Sequence, residues 1–75
     1  MNAVEPTPIR TVDTLGRAIA ARRKTLRMSQ DELSSLSGIT QANLSNIERG
    51  TAGGRLETYL RICSLIGIDL FAVSR

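Results

Sequence analysis

The chain has 75 residues, a formal net charge of +3 and a pI near 10.0, with 41% hydrophobic and 23% charged residues. That length and balance allow one small globular domain and argue against a disordered chain. With no histidine and one cysteine, a Cys/His zinc site, a disulfide framework and a histidine-dependent catalytic triad are all excluded.

Residues 1–10 read as a flexible arm, because Pro6 and Pro8 oppose helix and few side chains there suit a core. The opening MNAVEPTPIR lacks the basic-then-apolar order of a signal peptide, and no apolar run is long enough to span a membrane, so a cytoplasmic protein is expected. Thr11 is the N-cap of a first helix over 12–26, with Asp13 in its first turn. Leu15, Ile19, Arg22 or Arg23, and Leu26 recur there at helical spacing, and Gly16 allows a close approach. Ser29 and Glu32 form a capping box for a second helix over 30–37, with Leu33 and Leu36 inward and Gly38 as its left-handed stop. Thr40 caps a third helix over 41–49, with Leu44 and Ile47 buried and Gly50 ending it. A glycine-rich loop over 50–55 precedes a fourth helix over 56–66. Leu56, Tyr59, Leu60, Cys63 and Ile66 or Leu65 mark its apolar side, and Cys63 reads as a core residue. The tail IDLFAVSR reads as a β-strand without a partner in the chain.

Two short helices joined at Gly38-Ile39-Thr40 have the spacing of a helix-turn-helix. Leu33, Leu36, Ile39, Leu44 and Ile47 should fix the angle between them. Gln41, Ala42, Asn43, Ser45, Asn46 and Arg49 are then left facing outward. Arg23 falls on the apolar stripe of the first helix and Glu48 on the inward side of the third, and buried charges need partners. Nine of the ten basic residues are arginines, a side chain suited to phosphates and guanine edges.

The segment MSQDELSSLSGITQANLSNIERG resembles the helix-turn-helix of the Cro and lambda-repressor class, the xenobiotic-response-element family, over residues 14–67. Gln30, Glu32, Leu33, Gly38, Ile39, Thr40, Gln41, Leu44, Ile47, Glu48 and Gly50 all fall in register with it. The resemblance implies an all-α domain of four to five helices over 11–67, with the third helix in the DNA major groove. Gln41 is then the foremost base reader, able to pair with adenine through two bonds, and Thr40, Ala42, Ser45 and Asn46 are further base contacts. Ser29 and Gln30 match one phosphate clamp, and Arg49, Thr51 and Arg55 resemble a second. The family also places an ion pair at Arg23 and Glu48.

After Gly67 the sequence departs from members with a fifth helix. A strand there, residues 68–75, resembles the HipB-like antitoxins, in which strands of two subunits pair. Leu70, Phe71, Ala72 and Val73 would form that dimer interface. The resemblance therefore implies a homodimeric repressor on a pseudo-palindromic operator, autoregulating as the antitoxin of a kinase-type toxin. The alternative is a protein-interaction module of the same fold that does not bind DNA. No cofactor, metal, membrane or enzymatic activity is expected.

Overall fold

The computed structural model describes residues 6–51 and 54–75. Met1–Glu5 of the arm and Ala52 and Gly53 of the glycine-rich loop lie outside the described residues. Four helices follow in order: α1 (Val12–Thr25), α2 (Gln30–Ser37), α3 (Gln41–Arg49) and α4 (Leu56–Ile66). The domain is all-α, as its capping signals imply.

Each helix start has a local cause. The Thr11 side chain accepts from the Thr14 amide at 3.0 Å, and Thr40 accepts from the Asn43 amide at 3.2 Å. At α2 the capping box is complete. The Glu32 amide donates to Ser29 Oγ, the Ser29 amide donates to Glu32 Oε1, and both bonds are 3.0 Å long. Arg55 precedes α4 and provides no side-chain cap. Gly38 takes φ +74°, a left-handed conformation that a β-carbon resists, and so allows α2 to stop one short turn before α3. Arg27 is the one non-glycine described with positive φ, at 56°, in the turn between α1 and α2.

α1 packs against α3 and α4, and α2 packs against the same two helices. The core is Leu15, Ile19, Leu33, Ile39, Leu44, Ile47, Tyr59, Ile62, Cys63 and Ile66. Gly16 lies at the α1–α3 contact, where an added β-carbon would overlap the Ile47 carbonyl oxygen. This is the close approach expected of it.

Several expectations need correction. Leu36 is 58% exposed and does not help set the angle between α2 and α3. Leu26 is the exposed C-cap of α1, and Leu56, Leu60 and Leu65 on α4 are also exposed. The fully buried residue of α4 is Ile62, three after Tyr59 and four before Ile66. The helix is apolar on more than one side, so spacing alone admitted two faces. From the arm, Ile9 packs against the core as a partly buried side chain. Residues 68–75 form no strand, because a strand needs a ladder partner and the described residues offer none. Ile68 still packs on the core, with its amide donating to the Cys63 carbonyl at 2.9 Å.

Candidate nucleic-acid interface

The proposed reading helix is anchored by its buried side. Leu44 and Ile47 enter the core, and between them and the next turn Glu48 is also buried, at 8% exposure. Its carboxylate receives Arg23 Nε on Oε2 at 2.7 Å and Arg23 Nη2 on Oε1 at 2.9 Å. Two parallel bonds of this kind fix direction as well as distance. Arg23 Nη1 also donates to the Met28 carbonyl at 2.8 Å, and Gln30 Nε2 donates to Glu48 Oε1 at 3.0 Å. One network therefore joins α1, the turn after it, the first residue of α2, and α3. No buried side-chain nitrogen or oxygen among the described residues lacks a hydrogen-bond partner.

Burial alone would push the Glu48 carboxyl up. The hydrogen bonds from Arg23 and Gln30, with the charges of Arg23 and Lys24, outweigh it and hold the carboxyl below its ordinary range. The same bond to Glu48 pushes the Arg23 guanidinium up against its own burial. The Cys63 thiol is pushed up by burial, which makes it a poor nucleophile and fits a core role.

The outward side of α3 is polar along its length. Gln41, Ala42, Asn43 and Arg49 are exposed, and Ser45 and Asn46 are half-buried. Thr40 is exposed, with its hydroxyl accepting the Asn43 amide as the cap. Asn46, Arg49 and Thr51 come together. Arg49 Nη2 donates to Asn46 Oδ1 at 2.6 Å, and Thr51 Oγ1 lies 3.5 Å from the same oxygen.

At the start of α2, Ser29 is exposed and its hydroxyl accepts the Glu32 amide. A hydroxyl can accept and donate at once, so capping leaves its proton for an incoming oxygen. Gln30 is half-buried and one of its amide hydrogens is committed to Glu48. Sequence spacing did not reveal that link, because residues 30 and 48 sit on different helices. Arg55 is exposed beside the first turn of α4. Leu70, Phe71 and Val73 are exposed at 38, 76 and 82%, and Ala72 is exposed with them.

Two further arginines close helix ends, a role the sequence reading assigned to neither. Arg22 Nε donates to the Ile66 carbonyl at 2.7 Å, and Arg61 Nη1 donates to the Ser37 carbonyl at 3.3 Å. Both sit where basic side chains complement the orphan carbonyls of a helix C-terminus. The sequence signal was only that each is an arginine on a helix near an apolar stripe.

A long first helix, a capped two-helix motif and a fourth helix closing the core define a DNA-binding transcriptional regulator of the helix-turn-helix class. The chain belongs to the HTH_3 helix-turn-helix family, whose model matches residues 19–73. Among solved structures it is similar to HipB in a HipA–HipB–O2–O3 complex, at 25% identity and TM-score 0.79, covering 91% of this chain and 96% of that one. A HipB variant in complex with an O2 20mer aligns with TM-score 0.81 at 24% identity, covering 93% and 97%. The restriction-modification controller protein C.AhdI from Aeromonas hydrophila aligns with TM-score 0.71 at 24% identity, covering 77% and 88%. A comparison with curated protein sequences finds no match. No helix among the described residues is long and apolar enough to cross a membrane.

Proposed function

We propose that the chain is a sequence-specific repressor that reads a pseudo-palindromic DNA site as a homodimer. The observation that carries this reading is the two-sided character of α3. One side is locked to α1 through the buried Arg23–Glu48 pair and the other presents Ala42, Asn43, Ser45 and Asn46, while Gln41, on the Glu48 side but in the first turn, is exposed at the helix start. Rigid support beneath a polar, shallow face is what base reading in a groove requires. Gln41, at the first position of α3, is the principal base reader, with Thr40, Ala42, Ser45 and Asn46 beside it. Ser29, Gln30, Arg49, Thr51 and Arg55 grip phosphates on either side of the groove.

Similarity to HipB extends the reading to regulation. The chain represses its own promoter and serves as the antitoxin of a kinase-type toxin, as the HipA–HipB complex suggests. The apolar tail, Leu70 to Val73, joins the two copies.

The test is fluorescence anisotropy on the duplex immediately upstream of the gene, at about 50 and about 200 mM salt, with a shuffled duplex as control. Preference for the native duplex with steep loss of affinity at the higher salt supports the repressor. Equal binding to both duplexes, or none, rejects it. A second reading is favoured by the exposed Leu56, Leu60, Phe71 and Val73: a protein-interaction module without DNA binding. Its complexes would be nearly indifferent to the same salt change. Co-purification of a kinase-type protein with the chain expressed from its native operon tests the toxin partner.

A further inference from the structure

Asn46 differs from Gln41 in one respect that bears on which base it can recognise. The Gln41 amide has no hydrogen-bond partner among the described residues, so it can offer its oxygen and its nitrogen together. The Asn46 oxygen is already occupied. Arg49 Nη2 donates to Oδ1 at 2.6 Å from three residues on, and Thr51 Oγ1 approaches the same oxygen at 3.5 Å. Thr51 is itself tied to this spot, with its amide donating to the Asn46 carbonyl at 3.0 Å and its hydroxyl at 3.3 Å. Arg49 takes one of the two lone-pair sites of Oδ1, and the single Thr51 hydroxyl proton, shared with the Asn46 carbonyl, stands over the other. What Asn46 presents outward is therefore its NH2 group alone.

We infer that Asn46 is a donor-only base reader, set in that polarity by Arg49 and Thr51, and that it selects a G·C pair and discriminates against A·T. This rests on the DNA-binding reading above. Adenine in the major groove offers one acceptor, N7, beside one donor, N6, so a paired contact to it needs the amide oxygen. Guanine offers two adjacent acceptors, N7 and O6, which match the two hydrogens of an NH2 group. Thymine offers a single acceptor beside a methyl group, and cytosine offers a donor, so both fit less well. Arg49 keeps its remaining guanidinium hydrogens for a phosphate while one of them orients Asn46. Gln41 and Asn46 lie about 140° apart around α3, so they would read separate positions, and with opposite polarity.

Selection from a randomised duplex library, followed by sequencing, tests this with the full chain and three variants. Asn46→Ala identifies the position that Asn46 reads, as the one whose preference disappears. In the native protein that position should be G·C, with A·T enriched at least about fivefold less. In the double variant Arg49→Met/Thr51→Val the amide is released to turn over, and A·T should rise there by about fivefold or more relative to G·C. Each variant is checked for native helix content by circular dichroism before selection. An A·T preference in the native protein overturns the inference. So does an Asn46→Ala profile identical to the native one, or a double variant with an unchanged ratio. Failure of the native protein to enrich any sequence overturns DNA reading itself, and the assignment of Asn46 with it.

Discussion

Gln41 and Glu48 are seven residues apart on α3 and do opposite work. Gln41 is exposed and its worth lies in discrimination. Gln41→Ala should leave the fold intact, weaken binding to the preferred duplex by about 1–3 kcal/mol, and relax the preference at one base pair. Uniform weakening on all duplexes, measured by competition anisotropy, would instead make it a backbone contact. Glu48 is buried and its worth lies in the pairing with Arg23. Replacing Arg23 with leucine strands that carboxylate and should cost about 3–5 kcal/mol, a large part of the stability of so small a domain. Because the folded Glu48 carboxyl lies below its ordinary range, it is charged in the folded state at pH values where the unfolded chain has begun to protonate. Its contribution is fully present above the unfolded value of about 4.3 and is lost as pH falls through the lower folded value. Urea midpoints should therefore decline below about pH 4.5, and Glu48→Gln should flatten that decline while lowering the plateau at neutral pH. An equally steep decline in the variant would assign the acid sensitivity to other carboxylates.

The helices themselves were largely readable in the sequence, since each boundary coincides with a local chemical cause. Ser29 with Glu32, Thr40, and the stops at Gly38, Gly50 and Gly67 act within four residues of their own positions, so adjacent sequence suffices to place them. Which face of each helix is buried was less readable. Leu36 and Leu60 satisfy the spacing of a buried residue and are exposed, while Ile62 satisfies it equally well and is fully buried. That choice depends on where neighbouring helices lie, and spacing along one helix does not contain it. Cross-helix bonds such as Gln30 to Glu48 and Arg22 to Ile66 escaped for the same reason. Gly16 is the exception, because a glycine inside an otherwise sound helix already signals contact. Alanine would favour the isolated helix by about 1 kcal/mol, yet here its β-carbon meets the Ile47 backbone, which a side-chain rotation cannot relieve. Gly16→Ala should therefore destabilise by about 1–3 kcal/mol, seen as a lowered thermal midpoint, by separating α1 from α3. A raised midpoint would show that helix propensity outweighs the contact.

For the complete domain, the tail connects stability with operator reading. Ile68 closes the core through its packing and its bond to the Cys63 carbonyl, and the chain beyond it turns apolar residues to solvent. Exposing Phe71 and Val73 at 76 and 82% gains nothing for a lone copy. Pairing two tails as strands would satisfy the backbone and cover these side chains in one step. The domain measures 35 × 30 × 18 Å, a size that lets the two reading helices of a dimer lie about 34 Å, one DNA turn, apart. Truncation after Ile68 preserves the last core contact while removing the proposed interface. The shortened chain should keep its helix content and sediment as a monomer. Its affinity for a two-half-site duplex should fall steeply, because each copy then binds without the other's contacts. The slope of log affinity against log salt should also fall to roughly half, as half the phosphate contacts are made in one binding event. A truncated chain that still sediments as a dimer would move the interface to the exposed Leu56 and Leu60 of α4. A monomer with an undiminished salt slope would mean that the intact chain already binds one half-site at a time.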